Sequence, residues 1–80
     1  MKYKMYSIRD VKTGFMTPAL ETNDAVAIRN FQHAVMNSDS VLFSHAKDFA
    51  LYSVGSFDSE TGTLEPHMPV LIIEAVDCLK

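Results

Sequence analysis

The chain opens on an alternation of period two. In residues 2–11, Tyr3, Met5, Ser7, Arg9 and Val11 take one set of alternate positions, and Lys2, Lys4, Tyr6, Ile8 and Asp10 take the other. With its aromatic and β-branched content this pattern predicts a β-strand. Lys12-Thr13-Gly14 reads as a turn, with Gly14 free to adopt positive φ. Residues 15–20 predict a second short strand, placed at an edge because Pro18 cannot donate to a ladder. The period then lengthens to that of a helix. Asn23 can cap the orphan amides and Asp24 complements the helix dipole, while Ala27, Ile28, Phe31, Ala34 and Val35 recur on one face. Arg29, Asn30 and His33 fall on the opposite, solvent-facing side, and Asn37-Ser38-Asp39-Ser40 ends the helix with Asn37 as a left-handed cap.

Residues 41–43 fit a strand or a packed loop, and Ser44 can cap one helical turn over 44–48. Residues 49–57 alternate again, with Phe49, Leu51, Ser53, Gly55 and Phe57 against Ala50, Tyr52, Val54 and Ser56. Asp58-Ser59-Glu60-Thr61-Gly62 predicts a hairpin turn with Gly62 left-handed, and the returning strand, Thr63-Leu64-Glu65, is stopped by Pro66. From Pro69 to Leu79 both periods fit; the run Val70–Ile73 favours a buried strand over a helix. The sum is a β-β-α-β-β-β order: a small antiparallel sheet of four to five strands with one packed helix, an α+β domain over residues 1–80. Phe15, Phe31, Phe43, Phe49 and Phe57 should supply most of its core, with Met5, Met16 and Met36 as filler and Tyr3, Tyr6 and Tyr52 wet at their tips.

Composition narrows the classes. Eighty residues, 48% of them hydrophobic, leave room for one core, and a chain of this size buries only about 60% of its unfolded surface. A single cysteine, Cys78, allows no internal disulfide and fits a reducing compartment. The first six residues lack the apolar core of a signal peptide, and the longest apolar run is far too short to span a bilayer. The expectation is a cytoplasmic protein with no membrane partner.

Catalytic and metal chemistry find little support. His33, His45 and His67 have no metal-ligand spacing, so no metal or other cofactor is expected. Cys78 lies beside Asp77, whose charge disfavours a thiolate, and reads as a small buried hydrophobe. Asp58-x-Glu60-x-Gly62 resembles the start of a calcium loop, but Pro69 stands where its closing Glu would be. Three isolated glycines make no phosphate loop, and no two carboxylates are paired by the pattern. The expectation is a protein without enzymatic activity.

Charge changes the picture through its distribution. The net charge is −3, which excludes a protein that coats nucleic acid through bulk positive charge. Residues 1–12, however, carry Lys2, Lys4, Arg9 and Lys12 against Asp10 alone, and the acids lie in the remainder. Cations interleaved with Tyr3 and Tyr6 offer phosphate contacts beside stacking rings, the combination that single-stranded nucleic acid requires. The competing reading is a strand with one solvated face and lysines guarding an edge.

An ordered set of motifs spans most of the chain: M-K-Y-K-M-Y-S-I-R-D at residues 1–10, Gly14-Phe15-Met16 with Pro18, N-D-A-V-A-I-R-N-F at 23–31, D-F-x-L-Y-x-V-G-x-F at 48–57, and Glu60-Thr61-Gly62 running to Glu65-Pro66. This set resembles the small nonstructural protein of gokushovirus-type microviruses, tailless phages with circular single-stranded DNA genomes; residues 67–80 depart most. The resemblance implies a DNA-binding protein, or a switch from double-stranded replication to single-strand synthesis and packaging, acting in the host cytoplasm, and carries no catalytic residues. It adds Arg29, which lies on the exposed helix face in this reading, unless Arg29 pairs with an acid on a neighbouring strand. The candidate nucleic-acid-binding set is therefore Lys2, Tyr3, Lys4, Tyr6, Arg9, Lys12 and Arg29, with single-stranded DNA as partner. The acidic surface alternatively suits a protein-interaction module contacting a host, replication or capsid-assembly protein. An unprotected strand in so small a sheet invites pairing into a homodimer or higher homo-oligomer.

Overall fold

The computed structural model describes residues 1–80. Its strands are β1 (Lys2–Asp10), β2 (Gly14–Phe15), β3 (Ala19–Glu21), β4 (Phe49–Asp58) and β5 (Thr63–Glu74); its helices are α1 (Asp24–Val35) and the one-turn α2 (Val41–Ser44), with 3-10 turns at Ala46–Asp48 and Ala75–Leu79. All the strands are antiparallel, in the order β2-β1-β4-β5, with β3 beside β2 on the same edge of β1. The α+β class stands, with the order β-β-β-α-β-β.

That order differs from the expected one at three places with physical causes. The strand over 15–20 divides into β2 and β3 around Met16-Thr17-Pro18, and in the gap the Ser7 hydroxyl donates to the Met16 carbonyl at 2.6 Å. The returning strand does not stop at Pro66; β5 runs through Pro66 and Pro69 to Glu74. It can do so because its outer edge is unpaired, so a missing amide breaks no second ladder. The tail satisfies both of its periods in turn, as strand to Glu74 and then as a 3-10 turn that buries Ala75 and Cys78.

Local chemistry sets the helix ends. The Asn23 side chain accepts from the Val26 amide at 2.9 Å, as its capping role requires. At the other end Met36 stays right-handed and Asn37 does not turn left-handed, since only Gly14 and Gly62 have positive φ. Ser40, rather than Ser44, caps the next turn by accepting from the Leu42 amide.

The core lies between α1 and one face of the sheet. Tyr6, Ala27, Phe31, Val35, Ala46, Phe49, Leu51, Ala75 and Cys78 are buried, with Ile8, Leu42, Ile72 and Ile73 packed against them. Of the five phenylalanines only Phe31 and Phe49 are in it; Phe15 and Phe43 are exposed and Phe57 is half-buried. Met16 and Met36 are likewise exposed. One short helix covers only part of a sheet stretched over a 40 × 23 × 18 Å body, so apolar residues beyond its reach stay in solvent.

Candidate nucleic-acid interface

Two register shifts decide which side chains share the uncovered face. Tyr6 lies opposite Ser53 but Met5 lies opposite Gly55, so Val54 is an extra residue in β4. A one-residue slip moves every later side chain to the other face. Gly55 and Phe57 therefore leave the face of Leu51 and Ser53 that the alternation assigns them, and join that of Tyr52. A second shift, between Leu51 and Tyr52, does the same for β5.

Cross-strand partners share a face, so the open face can be read from the register. It carries Tyr3, Phe57 and Leu64 in one row, Leu20, Met5, Gly55 and Pro66 in the next, then Ser7, Tyr52 and Leu71, and finally Phe15, Arg9, Ala50 and Glu74. Four aromatic rings thus lie along one side of the sheet, away from α1. Phe15 and Tyr52 meet edge to face, with centroids 5.4 Å apart and planes at 78°. Phe15 is 48% exposed, and Arg9 is its direct partner across the strands.

The seven candidate residues separate into groups. Lys4 and Tyr6 point to the helix side and both bond Asp24: the ammonium at 3.0 Å, the phenol through a short hydrogen bond. Tyr6 is buried, so its hydroxyl is not wet and its ring offers no stacking surface. Burial first, and the Asp24 hydrogen bond second, hold the Tyr6 phenol well above its ordinary range. The hydrogen bond from Tyr6, then that from Lys4, holds the Asp24 carboxyl below its own. Lys2 lies 3.7 Å from Glu65 on the same side. Tyr3 is half-buried on the open face. Arg9, Lys12 and Arg29 are exposed and form no ion pair, so Arg29 has no acid partner on a neighbouring strand. It stands on the outer side of α1, across the sheet from Arg9, and the two do not form one site.

The structure brings Arg9 together with residues outside the candidate set. Arg9, Lys47 and Tyr52 line a notch of about 50 Å³ whose wall also holds Asp48 and Glu74. Lys47 and Tyr52 are about forty positions from Arg9 in sequence; the β1–β4 pairing brings Tyr52 beside it, and the 3-10 turn leading into β4, bonded to β1's end by the Val11 amide donating to the Asp48 carbonyl, brings Lys47. Phe15 lies on the open face rather than in the expected core; Gly14-Phe15 following a turn is the one sign in the sequence of its place next to β1. The cluster therefore offers an aromatic pair with unpaired cations at its edge, between carboxylates that limit how far an anion can extend.

The Cys78 thiol is pushed up by burial first and by Asp77 second, so burial outweighs the neighbouring charge. No helix is long and apolar enough to cross a membrane. No curated protein and no solved structure matches the chain. Residues 3–78 match the family model described as Phage ORF5 protein. Because that match spans nearly the whole chain, the protein belongs to the Phage ORF5 protein family.

Proposed function

We propose that this phage protein binds single-stranded DNA through the open face of its sheet and regulates the switch between genome replication and packaging in a gokushovirus-type microvirus. The observation that carries the reading is exposed Phe15, packed edge to face on half-buried Tyr52, beside unpaired Arg9. Rings present a surface on which any base stacks, and adjacent cations hold the phosphates of the same strand. Tyr3 and Phe57 continue the row of rings toward the hairpin end. Lys2 and Lys4, being engaged by carboxylates on the helix side, contribute less than Arg9, Lys12 and Lys47.

Fluorescence anisotropy with a thirty-base oligonucleotide over a salt series tests the reading. Phe15→Ala should weaken binding by the loss of one stacked base, about 1–3 kcal/mol. Arg9→Glu should weaken it and flatten the dependence of log K on log salt by about 0.7 for each phosphate no longer neutralised. Absence of binding by the wild type at low salt overturns the proposal. Net acidity and the apolar open face also suit a protein partner. Capture of one host, replication or capsid-assembly protein that survives nuclease treatment, with no oligonucleotide binding, would favour that second reading.

A further inference from the structure

The two edges of the sheet are unlike, and each carries something the other lacks. On the β5 edge Met68 is 84% exposed, the most exposed large apolar side chain in the molecule. It stands in a bulge, since Ser53 pairs with Val70 while Gly55 pairs with Pro66, leaving residues 67–69 outside the ladder. The bulge is held rather than loose. His67 Nδ1 donates to the Met68 carbonyl at 2.8 Å, which leaves Nε2 to accept from the buried Ser53 hydroxyl at 3.2 Å. Pro66 and Pro69 restrict the backbone on either side. Met68 is thus an apolar knob presented at little further cost in chain ordering.

On the opposite edge, behind β3, a cleft of about 180 Å³ opens between α1 and the sheet. Its wall is largely apolar, with Ala19, Phe31, Ala34 and Leu51 inside, and the Asn30 amide donating to Glu21 at the rim. The volume is below the roughly 300–1,000 Å³ of pockets that hold small-molecule ligands. It exceeds the about 150 Å³ of an apolar cavity able to accept benzene, the space needed by one large side chain. Methionine, unbranched and flexible, suits an irregular apolar space of this kind.

We propose that copies of this chain associate head to tail, Met68 on the β5 edge of one seating in the cleft behind β3 of the next. Strand direction agrees with this arrangement. β5 runs parallel to β1 and β3 runs antiparallel to it, so a neighbour placed alongside in the same orientation sets its β3 antiparallel to β5. Both outer edges are unpaired; Pro66 and Pro69 withhold amides beside the knob, but the adjoining run Val70–Ile73 carries no charge and no proline to block such pairing. The knob, the strand edge and the cleft therefore form one continuous contact surface. The contact joins two different patches, so it leaves a free knob at one end and a free cleft at the other and can propagate. It leaves the open face uncovered and does not depend on DNA binding.

Sedimentation of the full-length protein without DNA tests the proposal, because a contact between unlike patches can be complemented. Wild type should grow in mass with concentration beyond two chains. Met68→Glu, which lacks the knob, and Ala34→Phe, which fills the cleft, should each remain single chains. Their equimolar mixture should give a two-chain species and nothing larger, since only one productive pairing of patches remains. Thr17→Trp, at the exposed rim of the cleft, replaces Ala34→Phe if circular dichroism reveals that the latter is unfolded. Wild type at one chain's mass throughout overturns the proposal. So does association that survives Met68→Glu or survives filling of the cleft, the latter being the result of symmetric β5–β5 pairing. A mixture of folded variants that stays monomeric also overturns it.

Discussion

Tyr6→Phe removes a single oxygen and separates two roles for one residue. Tyr6 is only 3% exposed, and its hydroxyl donates to an Asp24 carboxylate that also meets Lys4 at 3.0 Å. A hydrogen bond to a charged partner contributes about 1.5–3 kcal/mol. The Asp24 side chain is 44% exposed and keeps Lys4, so solvent screening brings the expected loss to about 1–1.5 kcal/mol. For a domain of this size the Tm should fall by about 4–12 °C. The loss should depend on pH in one direction. The Asp24 carboxyl is held below its ordinary value of 3.8 in the folded protein, chiefly by Tyr6. Its contribution is therefore complete above that value and fades as pH falls through the lower folded one. Thermal melts of both proteins from neutral pH into acid should show a deficit that is full at neutrality and shrinks as the carboxyl takes up its proton. Oligonucleotide affinity at neutral pH should be unchanged wherever both proteins are folded. Equal stability at neutral pH, a deficit that grows as pH falls, or a large loss of DNA affinity would refute the structural role.

Gly55→Ala should destabilise by about 1–3 kcal/mol in urea unfolding, because an added Cβ would come within 2.5 Å of the Glu65 carbonyl oxygen and 3.2 Å of Pro66 Cα. Asn23→Ala should cost about 1 kcal/mol through loss of the Val26 cap, read as a lower midpoint. Val35→Ala, at a fully buried position, should cost about 2 kcal/mol by the same measurement. Cys78, buried and with its thiol pushed up, should react with iodoacetamide at about pH 8 much more slowly in the native protein than in urea. Equal rates would contradict its burial.

Much of the architecture is legible along the chain because it depends on neighbours. The alternation in 2–11 forms β1, Asn23 caps α1 as its side chain allows, and Gly62 takes the positive φ that a turn after Asp58 demands. Where the reading fails, the deciding contact is distant. Pro66 reads as a strand terminus until it is known that its strand has a free edge. Phe15 and Met16 look like core residues until it is known that α1 covers only the other face.

The candidate interface divides in the same way. Residue order alone is enough to place four of the seven cations and two of the three tyrosines in the first twelve positions, and nine of the ten acids in the remainder. It is enough, too, for the helix, the long strands and their tight turn, which follow from local periodicity and capping. Which charges are free is a property of the folded chain: Asp24 and Glu65 engage Lys4 and Lys2, burial removes Tyr6, and Arg9 is left beside Phe15, Tyr52 and Lys47. The cause lies in the pleat of the strand. An alternating pattern assigns a face only while the register holds, and the extra residue at Val54, set by long-range pairing, exchanges the faces of everything after it.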